Sequence, residues 1–151
     1  MTTTIKHPYF GELEADNVSG LGFWDFPFDF QGEPLDVALW EVEENKGIST
    51  EKLDFFADFL KDFEHKNQLA RQALQNYLNE DDYYITFHKD DMQLVVPELV
   101  TDFVEAMVIS GIGCWGDGVI VIDYMIDPDE SDEILAVKFD QTGNIKIVWE
   151  S

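Results

Sequence analysis

A single cysteine, Cys114, stands in 151 residues. That excludes an intramolecular disulfide and any zinc cage built on several thiolates. No basic residue flanks Cys114 to activate it, so it reads as a small apolar side chain. Basic residues are scarce throughout: nine Lys and Arg face 32 Asp and Glu, for a formal net charge of −23. A surface of that sign repels nucleic acid and anionic membranes and attracts basic partners. The three histidines, His7, His65 and His88, are scattered, and none forms a His-x-His or His-x-x-x-His pair. His88, with Asp90 and Asp91 nearby, reads as a surface histidine among surface acids. Neither a Gly-x-Ser-x-Gly elbow nor a Walker Gly-Lys-Ser/Thr occurs. Gly111-Ile112-Gly113-Cys114-Trp115-Gly116 matches the dinucleotide fingerprint by letters alone. It follows a predicted helix and precedes a predicted strand, the reverse of the nucleotide-binding order. No run of about 18 apolar residues is available to span a membrane. Met1 to Lys6 is polar and no apolar stretch follows it, so a secretory signal is not expected. These absences predict a soluble, cytoplasmic protein that is not an enzyme and carries no cofactor and no metal.

What is present suffices for a folded domain. Hydrophobic residues make up 45% and aromatics 14%, and a chain of this length buries roughly two thirds of its unfolded surface. Residues 1–151 read as one domain, with no internal repeat and no low-complexity linker. The charge is uneven along it. Residues 1–49 carry a net of −8, residues 50–89 a net of −3, and residues 90–151 a net of −12. The negative excess therefore sits on the two flanking segments.

Those flanking segments read as strands. Val119 to Ile126, Ile134 to Phe139 and Asn144 to Trp149 are β-rich runs separated by turn residues, the pattern of an antiparallel meander. Gly143 can supply the positive φ that the last turn needs. Near the N-terminus, Phe23 to Phe30 alternates, with Trp24, Phe26, Phe28 and Phe30 on one face and Asp25, Pro27 and Asp29 on the other. Pro27 places this strand at an edge. Leu35 to Val42 reads as its hairpin partner. Tyr9 to Leu13 suggests a further short strand, Thr2 to Lys6 a frayed start, and Asp16 to Gly22 a turn.

The middle reads as helical. Ser49 is the predicted N-cap, with Glu51 facing the helix dipole. Leu53, Phe56, Leu60 and Phe63, with Phe55 and Phe59 beside them, give a wide apolar face. A second stretch over Leu69, Ala70, Ala73, Leu74, Tyr77 and Leu78 either continues this helix with a bend or is joined to it near His65 to Asn67. Tyr83 to Phe87 fits a short strand or an extended link. Pro97 suits the first turn of another helix, whose stripe runs Leu99, Val100, Phe103, Val104, Met107 and Val108 and ends at Gly111 and Gly113. Strands, then helices, then strands argue for an α+β fold. The expectation is a largely antiparallel sheet, made of an N-terminal hairpin and a C-terminal three-stranded meander, with two or three helices packed on one face.

Two clusters are candidates for partner binding. Trp40 lies on the opposite phase to Leu35, Val37 and Leu39, alongside Asp36. Exposed on an acidic face with Asp25, Asp29 and Asp36, a tryptophan is an interface anchor; covered by a loop or helix, it is ordinary core. The second cluster is the turn Asp127 to Glu133, with the carboxylates of Asp127, Asp129, Glu130, Asp132 and Glu133. Its Asp-x-Asp-x-Ser start departs from an EF-hand loop at Asp132, where the motif needs Gly, and at Lys138, where it needs a bidentate Glu. A solvated hairpin tip is the plain reading, and a cation-seeking surface the functional one. With 32 acids some close carboxylate pair is inevitable, so such a pair alone carries no signal for acid–base catalysis.

Several stretches together resemble a family. His7-Pro8-Tyr9-Phe10-Gly11 opens the chain; Trp24 and the Phe-rich hairpin follow, then Gly47-Ile48-Ser49 before a helix. The tail carries Ile122-Asp123-Tyr124, then Asp132 to Phe139, then Gly143-Asn144-Ile145. This is similar to small acidic bacterial proteins of unknown function, some of which occur beside polymorphic or contact-dependent toxins and are held to be immunity proteins. The resemblance implies a binding protein that neutralises a basic toxin domain by occlusion, and it implies no catalytic residues. An acidic interaction or housekeeping module without a toxin is the alternative. A metal-dependent or hydrolytic enzyme using scattered acids is the second.

Overall fold

The computed structural model of the chain describes residues 4–18 and 21–151, and for Asn17 and Val18 the backbone alone. The strands among these residues are β1 (Thr4–His7), β2 (Gly11–Glu14), β3 (Asp16–Val18), β4 (Leu21–Phe30), β5 (Glu33–Trp40), β6 (Val108–Trp115), β7 (Ile120–Met125), β8 (Ile134–Phe139) and β9 (Ile145–Glu150). The α-helices are α1 (Thr50–Lys61), α2 (Phe63–Glu80), α3 (Tyr83–Thr86) and α4 (Val100–Ala106), and α3 runs into a π-helical turn at Phe87–Asp91. β1 and β2 form a separate hairpin. β3 to β9 form one sheet in chain order. All its pairings are antiparallel except β5–β6, which is parallel. The fold is thus α+β with a largely antiparallel sheet. The N-terminal strands and the C-terminal meander share it through that one parallel seam, with all the helices inserted between its two strands in sequence.

Strand alternation sorts the side chains. Trp24, Phe26, Phe28 and Phe30 on β4 stand in line with Leu35, Val37 and Leu39 on β5 and with Ile112 and Cys114 on β6. The row continues through Ile120, Ile122 and Tyr124 on β7, Leu135, Val137 and Phe139 on β8, and Ile145, Ile147 and Trp149 on β9. The helices cover this face. Phe63 meets Phe28 and Phe30 edge-on, Phe59 meets Phe139, and Tyr84 meets Trp149. Tyr9 and Phe10 close the same layer against Phe26. Leu53, Phe56, Ala57, Phe59 and Leu60 of α1 are buried, as are Ala70, Leu74 and Leu78 of α2. Each large side chain so buried stabilises the fold by about 1.5–3 kcal/mol. No described helix is long and apolar enough to cross a membrane.

Local signals act where they were read. Ser49 caps α1, its hydroxyl accepting from the Lys52 N–H at 3.2 Å. Gly143 adopts φ 88° in the β8–β9 turn. Pro27 sits on the part of β4 paired with β5 alone, since β3 reaches only as far as Phe23.

Other expectations are corrected. Of the frayed start, Thr4 to Lys6 belong to β1, and Thr2 and Thr3 lie outside the described residues. Within the turn read over Asp16 to Gly22, Asp16–Val18 form β3, and Ser19 and Gly20 lie outside the described residues. The α1–α2 joint is at Asp62, not near His65 to Asn67. Tyr83 to Phe87 is helical, neither strand nor extended link. Val100 starts α4, three residues after Pro97, and the helix is far shorter than its apolar stripe. Met107 turns extended (φ −66°, ψ 142°), and Arg71 Nη1 donates to the carbonyls of Val104 and Met107 at 2.7 and 3.0 Å, satisfying the helix end. Val108 to Trp115 is strand β6, although Gly111 and Gly113 read as a helix C-cap. Pairing with β7, and for Gly113 with β5 as well, outweighs the weak strand propensity of glycine there, and a register shift between Ile109 and Gly111 marks a bulge.

Candidate functional site

The other face of the sheet presents a different set of residues. Phe23, Asp25, Pro27 and Asp29 come from β4, and Asp36, Ala38 and Trp40 from β5. Gly111, Gly113 and Trp115 come from β6, Val121 and Asp123 from β7, Lys138 from β8 and Glu150 from β9. A cleft of about 600 Å³ lies on this face. Its lining among the described residues is drawn from β5 to β9 and from the β6–β7 turn at Asp117 and Val119, and none of these is helical.

Three stacked rings form one end of the cleft region. Phe23 and Trp40 are register partners, with centroids 4.9 Å apart and planes at 24°. Trp40 and Trp115 are register partners across the parallel seam, at 5.3 Å and 12°. Trp40 is held from behind. The Gly116 N–H donates to its carbonyl at 2.8 Å. The next residue, Glu41, is a buried carboxylate accepting from the N–H groups of Gly22 (2.8 Å), Asn45 (3.0 Å) and Gly47 (2.8 Å). Burial pushes the Glu41 carboxyl up, but the three backbone donors outweigh it and hold the group below the usual carboxylate range. A side chain at Gly22 would come within 3.3 Å of that carboxylate.

Carboxylates surround the rest. Among the described residues Asp36, Asp117, Asp123 and Glu150 line the cleft against one ammonium, that of Lys138, which lies 3.6 Å from Glu150. Asp123 is half-buried, and its Oδ1 is sealed from solvent without a hydrogen-bond partner among the described residues. Burial raises its pKa first, the charge of Glu150 raises it further, and Lys138 offsets part of this.

The two sequence-predicted clusters separate. Asp25, Asp29, Asp36 and Trp40 share the open face. Asp25 and Asp36 are exposed, and exposed Asp29 also accepts the Gly32 N–H at 2.9 Å to shape the β4–β5 turn. Asp127, Asp129, Glu130, Asp132 and Glu133 lie in the β7–β8 turn, which is fastened to the helical layer. Within it Asp129, Glu130 and Asp132 are exposed, and Asp127 and Glu133 are half-buried. The Tyr84 hydroxyl donates to the Glu133 carbonyl at 2.6 Å. His88 is fully buried, which overturns its surface reading. Its Nδ1 lies 2.7 Å from the Tyr84 carbonyl, and its Nε2 lies 2.7 Å from Ser131 Oγ. A carbonyl can only accept, so Nδ1 carries the proton and, in the neutral ring, Nε2 accepts from the Ser131 hydroxyl. Ser131, amid the acids, is itself buried, so the turn is a docked loop with an acidic rim.

Sequence reasoning missed Phe23, Trp115, Gly111, Gly113, Asp123, Lys138 and Glu150 as members of one surface. A signal existed in Asp123, the lone charge in an apolar strand. The two glycines were hidden by the helical stripe before them. In comparisons with protein-family models, curated proteins and solved structures, the chain has no match.

Proposed function

We propose that this chain is an acidic, cytoplasmic binding protein that docks a basic protein partner on the open face of its sheet, as an immunity-type protein occludes a basic toxin domain. The observation that carries this reading is the meeting of Asp25, Asp29, Asp36 and Trp40 on one uncovered face, beside a stacked aromatic row and further carboxylates. A ring anchor within a charged rim is the arrangement that concentrates binding energy at an interface. About 800 Å² per partner makes a specific interface, and a net charge of −23 steers a basic partner onto it. Occlusion requires neither a cofactor nor a catalytic group. The acidic rim of the β7–β8 turn is the alternative contact surface.

The test is capture from the source lysate at low and then high salt, comparing the wild-type chain with a variant carrying D25K, D29K, D36K and W40A. The wild type is expected to retain one basic protein at high salt, and the variant to lose it. Equal retention by both would refute the open-face assignment. Loss after charge reversal at Asp129, Glu130 and Asp132 instead would move the contact to the turn.

A further inference from the structure

Between Asp36 and Asp123 the open face has no side chain among the described residues. Gly111 pairs with Asp123 on β7, and Ile112, the next residue, pairs with Val37 on β5. Asp36 and Asp123 therefore flank Gly111 at one level of the sheet. Two strand spacings, about 9–10 Å, separate their backbones. A Cβ built on Gly111 would meet nothing within 4 Å, so the gap between the carboxylates is floored by backbone alone. One step along the strands the floor is Ala38 and Gly113. There Trp115 leans over, with its indole Nε1 3.3 Å from where a Gly113 Cβ would sit. The slot thus has a carboxylate on either side at one end and an apolar, aromatic wall at the other. The one cation among the lining residues, Lys138, stands on β8 beyond Asp123 and is engaged near Glu150, outside the gap between Asp36 and Asp123.

Resting on the docking face proposed above, the geometry points to a recognition slot for one arginine side chain of the basic partner, its guanidinium between Asp36 and Asp123 and its stem along Ala38, Gly113 and Trp115. Arginine fits better than lysine on three counts. Its planar head carries five N–H donors, enough to serve two carboxylates at once. It stacks on aromatic faces. It is also more weakly hydrated than an ammonium, so less is lost on entering a recessed site. A Cβ-bearing residue at position 111 would stand where the guanidinium has to lie.

The test is a titration of the whole chain with N-acetyl-arginine amide, N-acetyl-lysine amide and N-acetyl-citrulline amide, read on the indole N–H resonances of Trp40 and Trp115. A probe of this size is expected to bind in the millimolar range, on the order of 1 mM. The arginine probe should shift the Trp115 signal saturably, the lysine probe should bind about five-fold more weakly or worse, and the neutral citrulline should not bind. Gly111→Val should weaken the arginine probe about ten-fold or more while leaving thermal unfolding close to wild type, because the added methyls point into open space. The exposed Asp36→Asn, which disturbs no packing, is expected to act the same way. Equal binding of arginine and lysine, or an unaltered titration in Gly111→Val, would overturn the slot. The docking face fails separately. A Gly111→Val chain that still captures the basic protein sinks the slot and spares the face. A wild type that binds the arginine probe yet captures no basic protein sinks the face.

Discussion

Trp40 and Trp115 stack with ring planes 12° apart across the parallel β5–β6 seam. That contact joins two parts of the chain that the entire helical segment separates. It lies on the open face, so the seam is braced from the core side by Leu39 and Cys114 and from the solvent side by indoles. Aromatic pairs of this kind contribute about 0.5–1.5 kcal/mol beyond their buried area. A double-mutant cycle of Trp40→Ala and Trp115→Ala, followed by urea unfolding, should return a coupling of about that size. Additive single effects would show that the stack has no energetic content.

Glu41 ties the 41–47 loop to β4, and its depressed pKa makes stability pH-dependent. The folded carboxyl titrates below its ordinary 4.5. Its contribution is therefore fully present above the unfolded pKa and disappears as pH falls through the folded one. Glu41→Gln should lower stability at pH 7 by about 1–3 kcal/mol. The gap between variant and wild type should narrow toward pH 3. A gap that stays constant across that window would contradict this account.

Asp123 has the opposite sign. Its folded pKa stands above the ordinary 3.8, so between the unfolded and folded values the native state holds the extra proton, and stability falls as pH rises. Asp123→Asn is expected to raise the melting temperature at pH 7 and to weaken partner binding in the same protein. Stabilisation bought at the expense of binding is the mark of a residue kept for function. A lower melting temperature would mean that the carboxylate is structural.

Ser131→Ala removes the hydroxyl that faces His88 Nε2 at 2.7 Å. A buried nitrogen left without its partner costs about 1–3 kcal/mol. The Glu133 N–H, which donates to the same hydroxyl at 3.2 Å, should then exchange faster with solvent than in the wild type. Unchanged exchange at Glu133 would detach the acidic turn from His88.

Gly118 closes the turn between β6 and β7 at φ 97°, and a Cβ there would come within 2.7 Å of the Gln141 side chain. Gly118→Ala should destabilise by about 1 kcal/mol or more from backbone strain, and displacing Gln141, whose Cγ would lie 2.9 Å from the new Cβ, adds to that cost. Thermal unfolding of Gly118→Ala beside Gly118→Ala/Gln141→Ala separates the two contributions. Full recovery in the double variant would assign the cost to the clash instead.

The sequence by itself determined what depends on neighbours along the chain. Alternation in Phe23 to Phe30 set which side chains share a face, Ser49 set the start of α1, and Gly143 set the last turn. The stripe from Leu53 to Leu60 gave a helix with a buried face. The acidic excess and the opposite phase of Trp40 were legible too, because charge and strand period are local properties. Tertiary structure decided the rest. Whether Val108 to Trp115 forms helix or strand depends on β5 and β7 waiting on either side, and no residue in that stretch reports their presence. His88 looked like a surface residue because Ser131, the partner that covers its Nε2, is brought to it from 43 residues away. The cleft itself is a product of register. Asp36, Gly111 and Asp123 come level only because one parallel pairing sets two distant segments side by side, and that alignment is fixed by long-range burial on the opposite face.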